Sequence, residues 1–255
     1  MSQILCISGM HRSGTSLVAS WLNRCGLTIS DGQLLQPSKN NPKGYYEDSD
    51  FVDLHSSAIR LANPNSKGWN ITPKHTLKFS TAHLSMAKIL IDNRNMKYEV
   101  WGWKDPRTVV FLEHWKEMLP ELKVLLIWRP CAQVVSSLIQ RNKRVRYDGN
   151  KINLPESIAL WRFYGNKICE YREKYPTDTL LFSCFDFVNH AENILKIINQ
   201  KYAIKLAYHP IENIFDQKSF HSRATFITHL VSYFYQVSRI EHRLTKLSDY
   251  CETNE

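Results

Sequence analysis

Two glycines separated by four residues, set between a short apolar run and an amphipathic one, constrain this chain more than any other feature. The stretch reads Gly9-Met10-His11-Arg12-Ser13-Gly14-Thr15-Ser16. Before it stands Ile4-Leu5-Cys6-Ile7-Ser8, a continuous apolar segment of the buried-strand type. After it, Leu17, Val18, Trp21 and Leu22 recur at helical spacing. Strand, glycine turn and helix start in that order build an anion cradle. The first N–H groups of the helix point outward without partners, and the helix dipole adds partial positive charge.

The cradle departs from the nucleoside-triphosphate pattern at one place. That pattern puts Lys directly after the second glycine, where it reaches the β and γ phosphates. Here Thr15 stands there, and the cation is Arg12 on the loop itself. Such a loop suits a nucleotide with one 5′-phosphate and a transferable group better than a triphosphate with its magnesium. A phosphate-loop kinase or nucleotide hydrolase is the alternative enzyme class. It is disfavoured by the missing lysine and by the lack of an apolar strand ending in a magnesium-binding Asp.

The net charge of +9 points to acidic ligands. Nucleic acid is not expected among the partners, because charge is its only support and no recognition motif accompanies it. The 43% hydrophobic and 22% charged content are those of a globular chain and exclude a disordered one. Cys6, Cys25, Cys131, Cys169, Cys184 and Cys251 are scattered without a Cys-x-x-Cys pair, so neither a metal site nor a disulfide framework is expected. No apolar run reaches the ~18 residues of a membrane span. Three residues before the first strand leave no room for a signal peptide, and a reduced cytoplasmic protein is the expectation.

Further strands are expected at residues 100–103, 124–128 and 180–185. Helical patterns lie near 51–61, 80–93, 107–115, 131–139, 155–173 and 191–202, and in an aromatic-rich tail from 224. Residues 31–44 read as a long polar loop, and residues 141–151 as a basic one. Strands alternating with helices predict an α/β fold with a parallel sheet and helices on both faces. Ligands bind at the carboxyl ends of such strands. Those ends carry the Gly9–Ser16 stretch, then Lys104-Asp105-Pro106-Arg107, then Arg129.

Two of these stretches together resemble the sulfotransferases that use 3′-phosphoadenosine 5′-phosphosulfate (PAPS). One is the glycine loop, similar to that family's 5′-phosphosulfate loop. The other is the strand 124–128 with Arg129-Pro130 and then Ser137, similar to its 3′-phosphate-binding strand and helix. Ser137-Leu138 with Arg141, the segment Asn41-Pro42-Lys43-Gly44-Tyr45-Tyr46-Glu47 and the run Lys104-Asp105-Pro106-Arg107 resemble its bacterial and carbohydrate-type branch. The resemblance implies a single domain over 1–255, its tail from 203 only loosely matched. It also implies a three-layer sheet of the P-loop nucleotide-hydrolase-like kind.

By the same resemblance, His11, Arg12, Ser13, Gly14, Thr15 and Ser16 receive the 5′-phosphosulfate of PAPS, with Arg12 neutralising the leaving phosphate oxygen. Arg129 and Ser137, with the adjacent Ser136 as the alternative serine, hold the 3′-phosphate. Arg141 either adds to that site or covers the helix end, and Arg223 closes the nucleotide from the tail. Lys104 and Arg107 neutralise the sulfuryl oxygens or the acceptor. The implied reaction is in-line transfer of a sulfuryl group, without a metal, to a hydroxyl or, less readily, an amine. The implied acceptor is a saccharide, a glycolipid or a small molecule. Three residues compete for the general base: Glu47 first, Asp105 second and His11 third. Trp69, Trp101 and Trp103 are candidate platforms for a sugar, with core packing the competing role for at least one of the last two.

Overall fold

The computed structural model describes residues 2–31, 33–37, 44–66, 68–69, 71, 77–144, 151–211 and 237–250. Four strands form one sheet: β1 (Gln3–Gly9), β2 (Val100–Lys104), β3 (Lys123–Trp128) and β4 (Thr179–Ser183). Their order is β2-β1-β3-β4, and every neighbouring pair is parallel. Parallel pairing requires crossovers, and helices supply them. The helices α1 (Thr15–Arg24), α2 (Ser49–Ala62) and α3 (Thr81–Lys97) separate β1 from β2. A 3-10 turn (Pro106–Phe111) and α4 (Leu112–Met118) lead to β3. Next come α5 (Cys131–Arg144) and α6 (Leu154–Lys174), before β4. After the sheet follow α7 (Cys184–Asn189), α8 (Ala191–Tyr202) and α9 (Val237–Leu247).

Side chains alternate across the strands and so feed two cores. Ile4, Cys6, Trp101, Trp103, Val124 and Leu126 pack on one face, with α2 to α6 and α9. Leu5, Ile7, Leu125, Ile127, Leu180 and Phe182 pack on the other, with α1, α7 and α8. Helices therefore cover both faces, as the alternation predicts. Trp101 and Trp103 both belong to the core, and Trp103 stacks on Phe51 at 4.6 Å between ring centres, so neither offers a sugar platform.

The sheet has its topological switch between β1 and β3. From β1 the chain crosses to β2 at one edge, and then returns past β1 to β3. The helices that follow β1 and β3, α1 and α5, lie on opposite faces. A crevice opens between two such strand tips.

Some boundaries differ from expectation. β4 ends at Ser183 rather than at residue 185, because the Ser183 hydroxyl accepts the Asp186 N–H at 3.0 Å and starts α7. The basic stretch begins inside a helix, since α5 runs to Arg144, while residues 145–150 lie outside the described ones. The expected tail helix is described over Val237–Leu247 only. No described helix is long and apolar enough to cross a membrane.

Candidate functional site

β1 ends at Gly9, where only glycine fits because a side chain would collide with β3. A Cβ on Gly9 would stand 2.1 Å from the Ile127 carbonyl oxygen. The chain then turns through Arg12, whose φ of 70° is left-handed, and through Gly14 at φ 91°. The Ser13 N–H donates to the Met10 carbonyl at 3.2 Å and closes the turn. Gly14 caps α1 without any side-chain hydrogen bond, and the first turn of α1 holds no acidic residue. The positive end of α1 therefore faces the crevice unneutralised by its own sequence.

Residues distant in sequence meet at this turn. The Arg12 Nε donates to the Ser137 Oγ of α5 at 2.9 Å. Arg129, at the tip of β3, reaches back with Nη1 to the Arg12 carbonyl at 3.4 Å, and its Nε donates to Gln133 Oε1 at 2.8 Å. The Trp161 indole donates to the Arg129 carbonyl at 3.0 Å and pins the strand end. Burial lowers the Arg129 pKa from the ordinary arginine value, yet a guanidinium remains charged.

A second cluster lies beside the loop, on the β2 side. Lys104 ends β2 in register with Ile7. Its ammonium donates to Ser16 Oγ at 3.1 Å, to the Tyr45 carbonyl at 3.2 Å and to Glu47 Oε1 at 2.7 Å. Arg107 donates from Nη1 to Asp105 Oδ1 at 2.6 Å and to Glu47 Oε2 at 3.4 Å, and from Nε to the Gly68 carbonyl at 2.8 Å. The other Asp105 oxygen faces His55 Nδ1 at 2.8 Å. The Trp115 indole donates to His55 Nε2 at 2.9 Å. An indole N–H can only donate, so Nε2 accepts and the proton of His55 sits on Nδ1.

These contacts separate the three base candidates. Asp105 is wholly buried, with both oxygens engaged. Burial by itself would raise its pKa; the Arg107 guanidinium and the His55 hydrogen bond outweigh it and hold the carboxyl well below the usual range. Asp105 thus acts as a brace for Arg107. Glu47 is buried beside Lys104 and Arg107, at the end of the polar segment. His11 packs edge-on against Trp69 and Tyr164, at 5.6 and 6.0 Å between ring centres. Burial first, then the Arg107 charge, push its pKa well below the ordinary imidazole value, so the ring is neutral.

Three buried polar atoms around the loop have no hydrogen-bond partner among the described residues: His11 Nε2, Ser13 Oγ and the Tyr164 hydroxyl. Such orphans are costly, and a ligand reached by the loop is one way to satisfy them. Arg141 lies one helical turn beyond Ser137, with its guanidinium 4.9 Å above the Trp69 ring. Arg223 falls outside the described residues, as do residues 38–43. His55 and Tyr164 are the residues that sequence reasoning missed. Each reads as one more member of a buried helical stripe, and only its neighbours from other elements distinguish it.

No family model and no curated protein matches the sequence. Solved structures do match it, over nearly its whole length. A sulfotransferase from Alicyclobacillus acidocaldarius aligns with a TM-score of 0.59, covering 98% of each chain at 11% identity. A sulfotransferase domain from the curacin biosynthetic pathway aligns with a TM-score of 0.54, covering 97% of this chain and 98% of its own, at 12% identity. The chain has the sulfotransferase fold. A third such domain, from the olefin synthase of Synechococcus PCC 7002, aligns at 0.51 over 98% of this chain and 96% of its own, with 13% identity. At these identities the likeness is one of fold, and the chemistry rests on the residues described above.

Proposed function

We propose that this protein transfers the sulfuryl group of PAPS to a hydroxyl of an acceptor, the saccharide and glycolipid classes first among the candidates. One observation carries the reading: Arg12 of the loop, Arg129 of the β3 tip and Ser137 of α5 converge beside the uncapped start of α1. The donor supplies a sulfuryl group already activated on a phosphate. The loop amides of Ser13, Gly14, Thr15 and Ser16, with the orphaned Ser13 hydroxyl, suit the 5′ group. Arg129 and Ser137 suit the 3′-phosphate, since guanidinium grips such oxygens at two points.

The protein's part is positioning and charge neutralisation, as in phosphoryl transfer. Arg12 faces the leaving oxygen. Lys104 stands between Ser16 and Glu47 and can pass its hydrogen bond from the carboxylate to a sulfuryl oxygen. That exchange would release Glu47 to accept the acceptor's proton, which makes Glu47 the preferred base. Asp105 is poorly suited to that role because Arg107 and His55 occupy it.

Calorimetry with adenosine 3′,5′-bisphosphate tests the reading. Binding is expected without magnesium. Arg129→Ala is expected to weaken the bisphosphate about 10- to 100-fold, the worth of hydrogen bonds to a charged group, while adenosine 5′-phosphate changes little. Equal weakening of both would remove the 3′ assignment. Binding of ATP with magnesium, and not of the bisphosphate, would favour a kinase or hydrolase.

A further inference from the structure

Two cations near His11 of the loop, Arg107 and Arg141, differ in what they have left to give. Arg107 is committed to Asp105, Glu47 and the Gly68 carbonyl. Arg141 is half-buried, holds its guanidinium carbon 4.9 Å over the Trp69 ring centre, and makes no hydrogen bond or ion pair among the described residues. Stacking on an indole holds a guanidinium in place through its face and leaves its N–H edge open. Trp69 in turn abuts His11, and His11 abuts Tyr164. One indole therefore separates the Arg141 cation from a pair of buried, unpartnered polar atoms, His11 Nε2 and the Tyr164 hydroxyl.

We infer that these residues form an acceptor subsite for a molecule bearing both a hydroxyl and an oxyanion. The oxyanion docks on the edge of Arg141 and the hydroxyl lies toward His11 and Tyr164. The inference rests on the sulfotransfer reading and narrows its acceptor to anionic ones. It also takes Arg141 away from the 3′-phosphate. A cation set across one indole from polar atoms suits an acidic sugar or a hydroxylated acid better than a neutral glycoside. The surroundings agree: burial first, then the Arg107, Lys104 and Arg141 charges, disfavour a charged His11, against the opposing pull of Asp105.

The test is a titration of inorganic phosphate into protein already saturated with adenosine 3′,5′-bisphosphate, with acetate in parallel. Saturable binding of one of the two anions is expected, and the tighter one tells whether the docked group is tetrahedral or a carboxylate. Arg141→Met should weaken that anion about tenfold or more, and leave bisphosphate affinity within about twofold. Retained bisphosphate binding shows that the variant is folded. Arg141→Lys, which keeps the charge but loses the planar guanidinium, should fall between. Neither anion binding the loaded protein, or both binding the Met variant equally well, would overturn the inference. Loss of bisphosphate affinity in that variant would also overturn it and return Arg141 to the nucleotide. If the unaltered protein fails to bind bisphosphate at all, the sulfotransfer reading itself falls, a result distinct from each of these.

Discussion

Arg12 combines a strained backbone with a side chain on which the proposed chemistry depends. Its left-handed φ of 70° costs about 1–2 kcal/mol in a residue with a Cβ. The turn returns that cost as geometry, because the same residue gives Arg129 a carbonyl and Ser137 a donor. Arg12→Gly separates the two effects. Turnover with PAPS should fall about 10²- to 10³-fold, the usual loss for one preorganised donor. Thermal stability should hold or rise, since glycine adopts this φ without strain. A near-normal rate would remove Arg12 from the leaving-group side. On the proposed reading Asp105 makes the opposite case, a charged residue that braces Arg107. Its folded pKa lies below the ordinary carboxylate value, so the folded chain stays ionised where the unfolded chain takes up a proton. The stabilisation is therefore complete above about pH 4 and is lost as pH falls below it. Asp105→Asn leaves Arg107 without its main partner and should cost about 3–5 kcal/mol in urea denaturation at pH 7. Its stability should also fall less steeply between pH 4 and 3 than that of the unaltered protein. Identical acid limbs would show that Asp105 does not carry this linkage.

At the scale of elements, β2 is the one that links stability to the site. Its Gly102 has no room for a side chain, since a Cβ would stand 2.1 Å from the Leu5 carbonyl oxygen of β1. Gly102→Ala must push the two strands apart and should cost about 1–3 kcal/mol in denaturant. Because Lys104 ends the same strand, turnover should fall with stability even though the substitution touches no substrate. A variant with unchanged melting would show that β1 and β2 yield more easily than their pairing implies. The strands were the most legible elements because burial on both faces makes each a continuous apolar run, as in β1 and β3. Ends were less legible. A single serine cap at Ser183 stops β4 two residues early, and α5 carries its basic residues on past the expected loop boundary. Trp101 and Trp103 alternate with Gly102 as a half-exposed strand would, yet α2 covers that face and buries both. Periodicity gives a strand's two faces but does not say what lies against them.

The whole molecule decides which residues become a site, and this part was legible only where residues end strands. Arg12 and Arg129 follow parallel strands that are neighbours in the sheet, so their meeting follows from topology once β1 and β3 are recognised. His55, Tyr164 and Trp69 come from helices and irregular segments whose placement depends on the packed core, and no spacing in the sequence brings them to the loop. A ligand bound there ties together the turn after β1, the tip of β3 and the flank of α5, pieces between which the chain makes long excursions. Binding to the folded state alone adds about 2.7 kcal/mol of stability at 100 times Kd. For a chain of this size that raises Tm by about 5–10 °C. Adenosine 3′,5′-bisphosphate should produce this shift without magnesium, and Arg129→Ala should remove about half of it or more at the same concentration. Asp105→Asn should lower the starting Tm and keep the shift, because it weakens the frame without touching the anion-binding turn. If the Asp105 variant lost the shift and the Arg129 variant kept it, the nucleotide would belong to the Lys104–Glu47 side of the crevice instead of the Arg12–Arg129 side.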